Sequence, residues 1–567
     1  MTPMEADIMD TIILSGKIRA HLAISLTRNL KPIAAIFSAL FSCSLYANVE
    51  LSGSTNADYI HQNVSSESLG NFSIDTLKIV PTLNATYQSP TLSGAWSSKL
   101  TYLQRSNDIS DGEQSYTEYS YGGQWAPLER LLVISASGAL AYRNTSSANY
   151  LVSDFLSNSD SLSKTRSNRV LAQLNIQQGD WVALNGVASY SDVASERSSL
   201  VDGQALDNDT ISLSGSASNG DKVKSVVWNV EGAYQNTDRA QNSSGSFITR
   251  EGDAFLDALL YNDFGLRFAA QHEANQISNR DDTSSTVREY TSYGAGLVYR
   301  QSETRYIAVT FNRSNSSIEE DDEDFVGAEF SWALSSRTSI GATFGRRFYG
   351  DSASANIDYN SKHFRSSFAY SEEVTNTSRL LSDPESLGVF VCPISSASIS
   401  ECFQPNSLSY SPTASEQLVE ISSQNLEFDD SIILRKGANA QAGYSFSRLT
   451  LGLSWRYAED DYLDQDRLRR TYSFGTSLAY SLGSYTTLST NITFANIEQR
   501  SGDISARGET DNWNSSVSIQ RELGRHLVTS LQVTVLDQSG DLNSGIAQFG
   551  NNYKDRRITA SLTYTFD

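Results

Sequence analysis

The chain of 567 residues has few of the side chains on which most enzymes and metalloproteins depend. Five histidines and three cysteines are present, and these residue types supply most ligands of zinc and of other transition metals. Beyond the N-terminal region the histidines are His61, His272, His363 and His526, and no pair of them has metal-ligand or triad spacing. No Walker loop or dinucleotide fingerprint occurs. We therefore expect no enzymatic activity, no bound metal and no cofactor.

Proline and long apolar runs are also scarce. Only nine prolines occur, none of them between Pro127 and Pro384 or after Pro412. Because proline lacks the backbone N–H, long proline-free tracts suit continuous hydrogen-bonded strands. No run of about 18 apolar residues could form a membrane-spanning helix. A transmembrane β-barrel needs apolar side chains only at alternate positions, so this composition is compatible with one.

The charge balance excludes one class of partner. Lysine and arginine total 43 and aspartate and glutamate total 65, which gives a formal net charge of −22. Because nucleic-acid phosphates require a basic surface, we expect no nucleic acid partner.

Strict alternation of apolar and polar side chains is the strongest positive signal. In residues 557–566 one face carries Ile558, Ala560, Leu562, Tyr564 and Phe566, and the other face is polar. Residues 226–234, 449–457 and 488–494 alternate in the same way, with aromatic side chains towards the ends of the apolar faces. Such strands suit lipid outside and water inside. A soluble β-propeller is the structural alternative, but the chain has no sequence motif that recurs in each repeat.

Turn signals predict the number of strands. Short turns are expected near residues 89–93, 127–129, 179–180, 219–221, 262–263, 301–303, 335–337, 361–362, 447–448, 483–484 and 524–525. Longer polar links fall between these hairpins, near residues 145–166, 194–204, 278–286, 315–322, 375–435, 499–508 and 538–552. Outer-membrane barrels have short periplasmic turns and longer external loops. We therefore predict an all-β fold, a transmembrane antiparallel β-barrel of about 24 strands (22–26).

An export signal is expected at the N-terminus. Arg28 and Lys31 precede the apolar stretch 32–45, and Ala47 is a suitable cleavage site. Residues 1–47 are thus predicted to be a signal peptide and residues 48–567 a single barrel in the bacterial outer membrane. Lipidation at Cys43 is a less favoured alternative. The expected partners are outer-membrane lipid, lipopolysaccharide and the barrel-assembly machinery.

The segment 375–435 differs from the rest of the chain. It contains four of the nine prolines and two cysteines, Cys392 and Cys402. In an exported protein a close cysteine pair indicates a disulfide, with two free thiols as the alternative. Loops longer than about 15 residues are usually functional or disordered. Our hypothesis is that this segment folds inward or across the mouth as a gate, and a surface lid or an extra hairpin is the alternative.

Two groups of charged residues are candidate sites. Mixed charges are predicted to line the lumen, at Glu231, Arg267, Glu329, Arg347, Arg456 and Arg557. They indicate either a hydrated lumen or internal salt pairing, and they do not identify a substrate. An acidic run consists of Glu319, Glu320, Asp321, Asp322, Glu323 and Asp324. Divalent cations could bind such carboxylates, but a solvated loop is the favoured interpretation because the run lacks the spacing and glycine of an EF-hand.

The last strand also carries a family resemblance. Its matching residues are Tyr553, Arg557, Ile558, Thr559, Leu562 and Phe566, whereas Asp555 and Arg556 replace a usual Glu-Asn. This pattern resembles the closing strand of the PEP-CTERM system-associated outer-membrane barrels, found with exosortase and exopolysaccharide gene clusters. Residues 77–83 and 370–375 add shorter likenesses. The resemblance implies a barrel that serves as a conduit or accessory for export of exopolysaccharide or another envelope polymer, with exopolysaccharide or export-system proteins as partners.

Two other functions stay open from the sequence. A non-transporting scaffold would bind envelope partners through its loops. A general diffusion porin would let small solutes pass without any polymer system.

Overall fold

A computed structural model describes residues 49–67, 70–107, 112–128, 131–144, 155–156, 162–176, 179–196, 206–239, 244–279, 285–317, 322–376, 386–393, 416–422, 432–463, 466–502, 507–542 and 552–566. The predicted signal peptide, Cys402 and most of the segment 375–435 lie outside these residues. In the described part of the chain, no helix is long and apolar enough to cross a membrane.

Twenty-six strands occur in chain order. The first thirteen are β1 Val49–Ser66, β2 Gly70–Gln88, β3 Leu92–Asn107, β4 Gly112–Leu128, β5 Leu132–Asn144, β6 Leu162–Ile176, β7 Val182–Ser195, β8 Asp207–Asn219, β9 Val226–Arg239, β10 Ser244–Tyr261, β11 Phe264–Asn279, β12 Ser285–Ser302 and β13 Arg305–Ser316. The others are β14 Glu323–Ser335, β15 Thr338–Arg347, β16 Gly350–Asn360, β17 Phe364–Asn376, β18 Ser386–Pro393, β19 Glu416–Ser422, β20 Ile432–Phe446, β21 Leu449–Tyr462, β22 Arg467–Gly483, β23 Thr486–Ser501, β24 Gly508–Glu522, β25 Leu527–Gly540 and β26 Tyr553–Phe566.

Twenty-four of these strands form one closed antiparallel barrel. Each strand pairs with the next along the chain, and β17 pairs directly with β20. Pairing of β1 with β26 closes the sheet, while β18 and β19 form a separate two-stranded hairpin. Closure leaves no unpaired edge, as a sheet in lipid requires. The predicted fold class and strand number are confirmed.

The two ends of the barrel carry different connections. At one end eleven turns of two to six residues join β2 to β3, β4 to β5 and so on to β24 and β25, and each overlaps a turn predicted from the sequence. The longer links, including residues 145–161, 377–431 and 541–552, lie at the opposite end. We refer to these as the short-turn end and the long-link end.

Side chains alternate between the two faces of the wall. Large apolar side chains on the outer face are widely exposed, as at Tyr293, Leu297 and Phe311, each more than 60% exposed. In β26, Ile558, Leu562 and Tyr564 are exposed outside, whereas Arg557 is buried on the inner face. An apolar exterior on a closed antiparallel sheet is the arrangement of outer-membrane barrels. The protein is an outer-membrane β-barrel.

A close approach marks the seam where β1 meets β26. Gly53 lies opposite Phe566 in the register. A Cβ atom on Gly53 would lie 2.5 Å from the Phe566 ring and 2.8 Å from the carbonyl oxygen of Thr82. Glycine is therefore required where the closing aromatic ring packs over the first strand.

The wall turns sharply at β12. Strands β11 and β13 approach each other although β12 separates them in the sheet. On the inner face of β12, a Cβ atom on Gly296 would lie 1.9 Å from the carbonyl oxygen of Val309, and one on Gly294 would lie 2.5 Å from that of Phe311. Glycine at these two positions lets β13 fold tightly over β12. The cross-section is therefore flattened, with a corner at β12.

Candidate functional site in the lumen

The inner wall is lined mainly by small polar side chains. On β8, residues 210, 212, 214, 216 and 218 face the lumen, and all five are serine or threonine. Hydroxyl groups pair across neighbouring strands, with Ser189 and Ser212 at 2.6 Å and Ser489 and Ser518 at 2.6 Å. Such a lining suits water and polar solutes and offers little apolar surface.

A buried cluster of charged and aromatic residues lies towards the short-turn end. We call it the lower cluster, and it consists of Phe255, Asp257, Arg267, Arg300, Tyr306 and Glu329. Asp257 accepts hydrogen bonds from Nε and Nη2 of Arg267 at 2.6 and 2.8 Å, and its Oδ2 lies 2.7 Å from Nη2 of Arg300. Arg267 also donates to Glu329, and so does the Tyr306 hydroxyl.

The aromatic rings of the lower cluster cover its two guanidinium groups. The Arg267 guanidinium lies 4.4 Å from the centre of the Phe255 ring, and that of Arg300 lies 4.1 Å from the Tyr306 ring. Asp257 is completely buried. Two positive and two negative charges balance within the cluster, and cation–π contacts add to the ion pairs. This balance favours a structural role in joining β10 to β14.

A strip of carboxylates lies on the inner face of β9, β10 and β11. Asp253 is directly opposite Glu231, and Glu251 is directly opposite Glu273. Like charges in such positions repel each other. Arg347 of β15 reaches Glu273 at 3.5 Å, so one positive charge partly offsets four negative ones. Among the described residues, no three His, Cys, Asp or Glu side chains are arranged to hold a metal ion.

Two further ion pairs stabilise the inner wall. Asp460 accepts hydrogen bonds from Arg435 at 2.6 and 3.0 Å and from Arg469 at 2.9 Å, and all three side chains are buried. At the seam, Asp555 accepts hydrogen bonds from Arg557 at 2.6 Å and from Gln62 at 3.0 Å. The second pair links β26 to β1 and thus helps to close the barrel.

Opposite walls of the barrel meet near the long-link end. Val193 of β7 and Leu206, which precedes β8, pack in one buried cluster with Ile433 of β20 and Tyr462 of β21. Ten strands lie between β7 and β20 by the shorter route around the barrel. We call this group the cross-lumen cluster, because its side chains bridge the lumen.

Both faces of the wall are buried where β17 ends and β20 begins. We call residues 374–375 and 432–435 the strap. Adjacent residues of the strap point to opposite faces, yet all are at most 6% exposed. Their side chains are Val374, Thr375, Ile432, Ile433, Leu434 and Arg435. A strand in the barrel wall keeps one face exposed, so the strap lies inside the lumen.

The second face of the strap has its own apolar contacts. Val374, Ile432 and Leu434 pack in one cluster with Phe247 of β10 and Tyr290 of β12. A hydrogen bond of 3.4 Å runs from Nη2 of Arg288 in β12 to the carbonyl oxygen of Leu463, which follows β21. Contacts on both sides therefore hold the strap across the lumen.

The six lumen candidates from the sequence occupy four places. Arg267 and Glu329 belong to the lower cluster, and Glu231 and Arg347 belong to the carboxylate strip. Arg557 contacts Asp555 at the seam. Arg456 lies opposite Asn439 and Ser473 in the register.

Only half of the acidic run lies within the described residues. Asp322 accepts hydrogen bonds from Arg313 at 3.0 Å and from Asn315 at 2.8 Å, and these bonds hold the pKa of its carboxyl below the ordinary value. Glu323 pairs with Arg346. Glu319, Glu320 and Asp321 lie outside the described residues. The two described carboxylates of the run that have ion pairs thus serve neighbouring strands, and a cation site there stays a prediction.

The other sequence candidates give no compact site. Cys392 lies on β18, and because Cys402 is outside the described residues the disulfide stays a prediction. His61 contacts Asp75 at 2.8 Å, His272 contacts Thr291 at 3.0 Å, and His363 contacts the carbonyl oxygen of Ser445 at 2.9 Å. These three histidines and His526 lie on separate strand pairs or turns.

Comparisons with known proteins bear on the overall architecture. No protein-family model matches the chain, and no curated protein matches it. The FrpB iron transporter from Neisseria meningitidis (F3-3 variant) aligns over 92% of this chain and 82% of its own, with 10% identity and a TM-score of 0.42. The siderophore receptor PirA from Pseudomonas aeruginosa aligns over 91% and 81%, with 10% identity and a TM-score of 0.37. At these values the likeness carries no argument about a ligand.

Proposed function

We propose that the barrel is a gated conduit for export of exopolysaccharide or a related envelope polymer. The observation that carries the proposal is the hydroxyl-rich lumen of a 24-stranded barrel. A hydrated carbohydrate presents many hydroxyl groups and can exchange hydrogen bonds with serine and threonine side chains along its path. The resemblance of residues 553–566 to barrels of exopolysaccharide loci supports the same substrate class.

Blockade of ionic current by polymer tests the conduit. A variant with an open lumen should conduct in the nanosiemens range in a planar bilayer, the order of magnitude for a wide aqueous lumen. Exopolysaccharide of the host strain, added on one side, should then interrupt the current in a concentration-dependent way. An uncharged polymer that lacks sugar hydroxyls, such as polyethylene glycol of equal hydrodynamic radius, is the control. Equal blockade by both polymers would contradict carbohydrate recognition.

A non-transporting scaffold is the second candidate, and the contacts across the lumen favour it. If the walls never separate, polymer could only be held at the long-link end. Export would then be lost on replacing the long links and retained when the inner wall is altered, which is the reverse of the conduit's behaviour. Leakage of small solutes in cells without any polymer system would instead indicate a diffusion porin. Lipopolysaccharide, the assembly machinery and export-system proteins remain proposed partners.

A further inference from the structure

The strap has left the barrel wall but keeps its strand pairing. Thr375 pairs with Ile433, and Val374 pairs with Leu434, in the continuous ladder between β17 and β20. The strap is therefore a two-stranded ribbon attached to the wall below it. Moving this ribbon would break side-chain contacts inside the lumen but need not break its own backbone hydrogen bonds.

The contacts that hold the ribbon across the lumen are few and mostly apolar. Ile433 and Tyr462 meet Val193 and Leu206 on one side, and Val374, Ile432 and Leu434 meet Phe247 and Tyr290 on the other. The hydrogen bond from Arg288 to Leu463 is a single polar tie. Apolar contacts of this size are reversible, because no interstrand ladder crosses the lumen.

The geometry points to a retractable closure. We propose that the strap closes the lumen by packing Ile433 and Tyr462 against Val193 and Leu206, and that the lumen opens when the ribbon swings back towards the wall. The long apolar run Ile432, Ile433 and Leu434 suits this role, since both of its faces are covered in the closed state.

Weakening the cross-lumen cluster tests the closure. Replacing Ile433 by serine removes most of the apolar contact to β7 and should raise the open fraction in a planar bilayer by about tenfold or more. Ile497→Ser is the matched control, because Ile497 is an equally buried, lumen-facing isoleucine whose cluster partner is Leu542 rather than the opposite wall. Heat-modifiable migration confirms folding of both variants. A rise no larger for Ile433→Ser than for Ile497→Ser would overturn the proposal.

A reversible cross-link supplies an independent test. Val193→Cys and Ile433→Cys are combined in a chain in which Cys43, Cys392 and Cys402 are replaced by serine. The reduced protein should conduct and the oxidised protein should be silent, with current restored by a thiol reductant. Equal conductance in both redox states, with the cross-link verified by mass spectrometry, would refute the closure.

The closure rests on the proposed function only because the lumen must pass solute. Ion current tests it without any polymer. An Ile433→Ser barrel that opens but is not blocked by exopolysaccharide would refute the polymer conduit and leave the closure supported.

Discussion

Replacing Asp257 by alanine is expected to destabilise the barrel by about 3–5 kcal/mol, the usual cost of leaving buried charges without their partner. Asp257 is fully buried and contacts both Arg267 and Arg300. Without it, two guanidinium groups would face each other with Glu329 as the remaining counter-ion. The temperature at which the folded band disappears in heat-modifiability gels, or the midpoint of urea unfolding, measures the loss.

Two variants separate this effect from a general loss of charge. Asp322→Ala removes an aspartate that also pairs with an arginine, but this pair is exposed, so no measurable shift is expected. Asp257→Asn retains an acceptor for one arginine and should fall between alanine and the unaltered protein. A stability loss for Asp257→Ala no greater than for Asp322→Ala would contradict the structural role of the lower cluster.

Replacing Gly296 by alanine should impair assembly of the barrel. The new Cβ atom would lie 1.9 Å from the carbonyl oxygen of Val309 and 2.6 Å from Cα of Thr310. Both are backbone atoms, so the clash is relieved only by separating β12 from β13. Overpacking costs about 1–3 kcal/mol, occasionally more, and a backbone clash lies at the upper end. The fraction of protein that gives a heat-modifiable band after refolding measures the effect.

Gly122→Ala is the matched control for the corner. Gly122 also faces the lumen from a strand interior, but a Cβ atom there meets nothing within 4 Å. Refolding of this variant should equal that of the unaltered protein. If Gly296→Ala refolds equally well, the tight corner at β12 is not needed for closure.

Strand number and turn positions were predictable because they depend on local patterns. Alternation defines each strand, and every short turn contains residues that favour a reversal of the chain. Some ion pairs were predictable by the same means but were missed. Asp257 and Arg267 are equidistant from the turn at 262–263, and Arg435 and Asp460 are equidistant from the turn at 447–448. In a hairpin of regular register, such positions must face each other.

Contacts between distant strands were not predictable from the sequence. Arg267 meets Glu329 only because the wall turns at β12, and Ile433 meets Val193 only because the barrel is flattened. Alternation states which residues point inward and not which inward residues touch. One signal was available for the strap, since Ile432, Ile433 and Leu434 break the apolar–polar alternation. Such a break indicates a strand covered on both faces.

The corner at β12 also limits what the strand number can say about passage. Twenty-four strands, spaced about 4.8 Å apart and tilted by about 40°, set a circumference of about 150 Å. Circumference determines area only for a circle, and a flattened tube of equal perimeter encloses less. The widest solute is therefore limited by the gap between facing walls. A size cut-off calculated for a round 24-stranded barrel would overestimate the molecules that this one can admit.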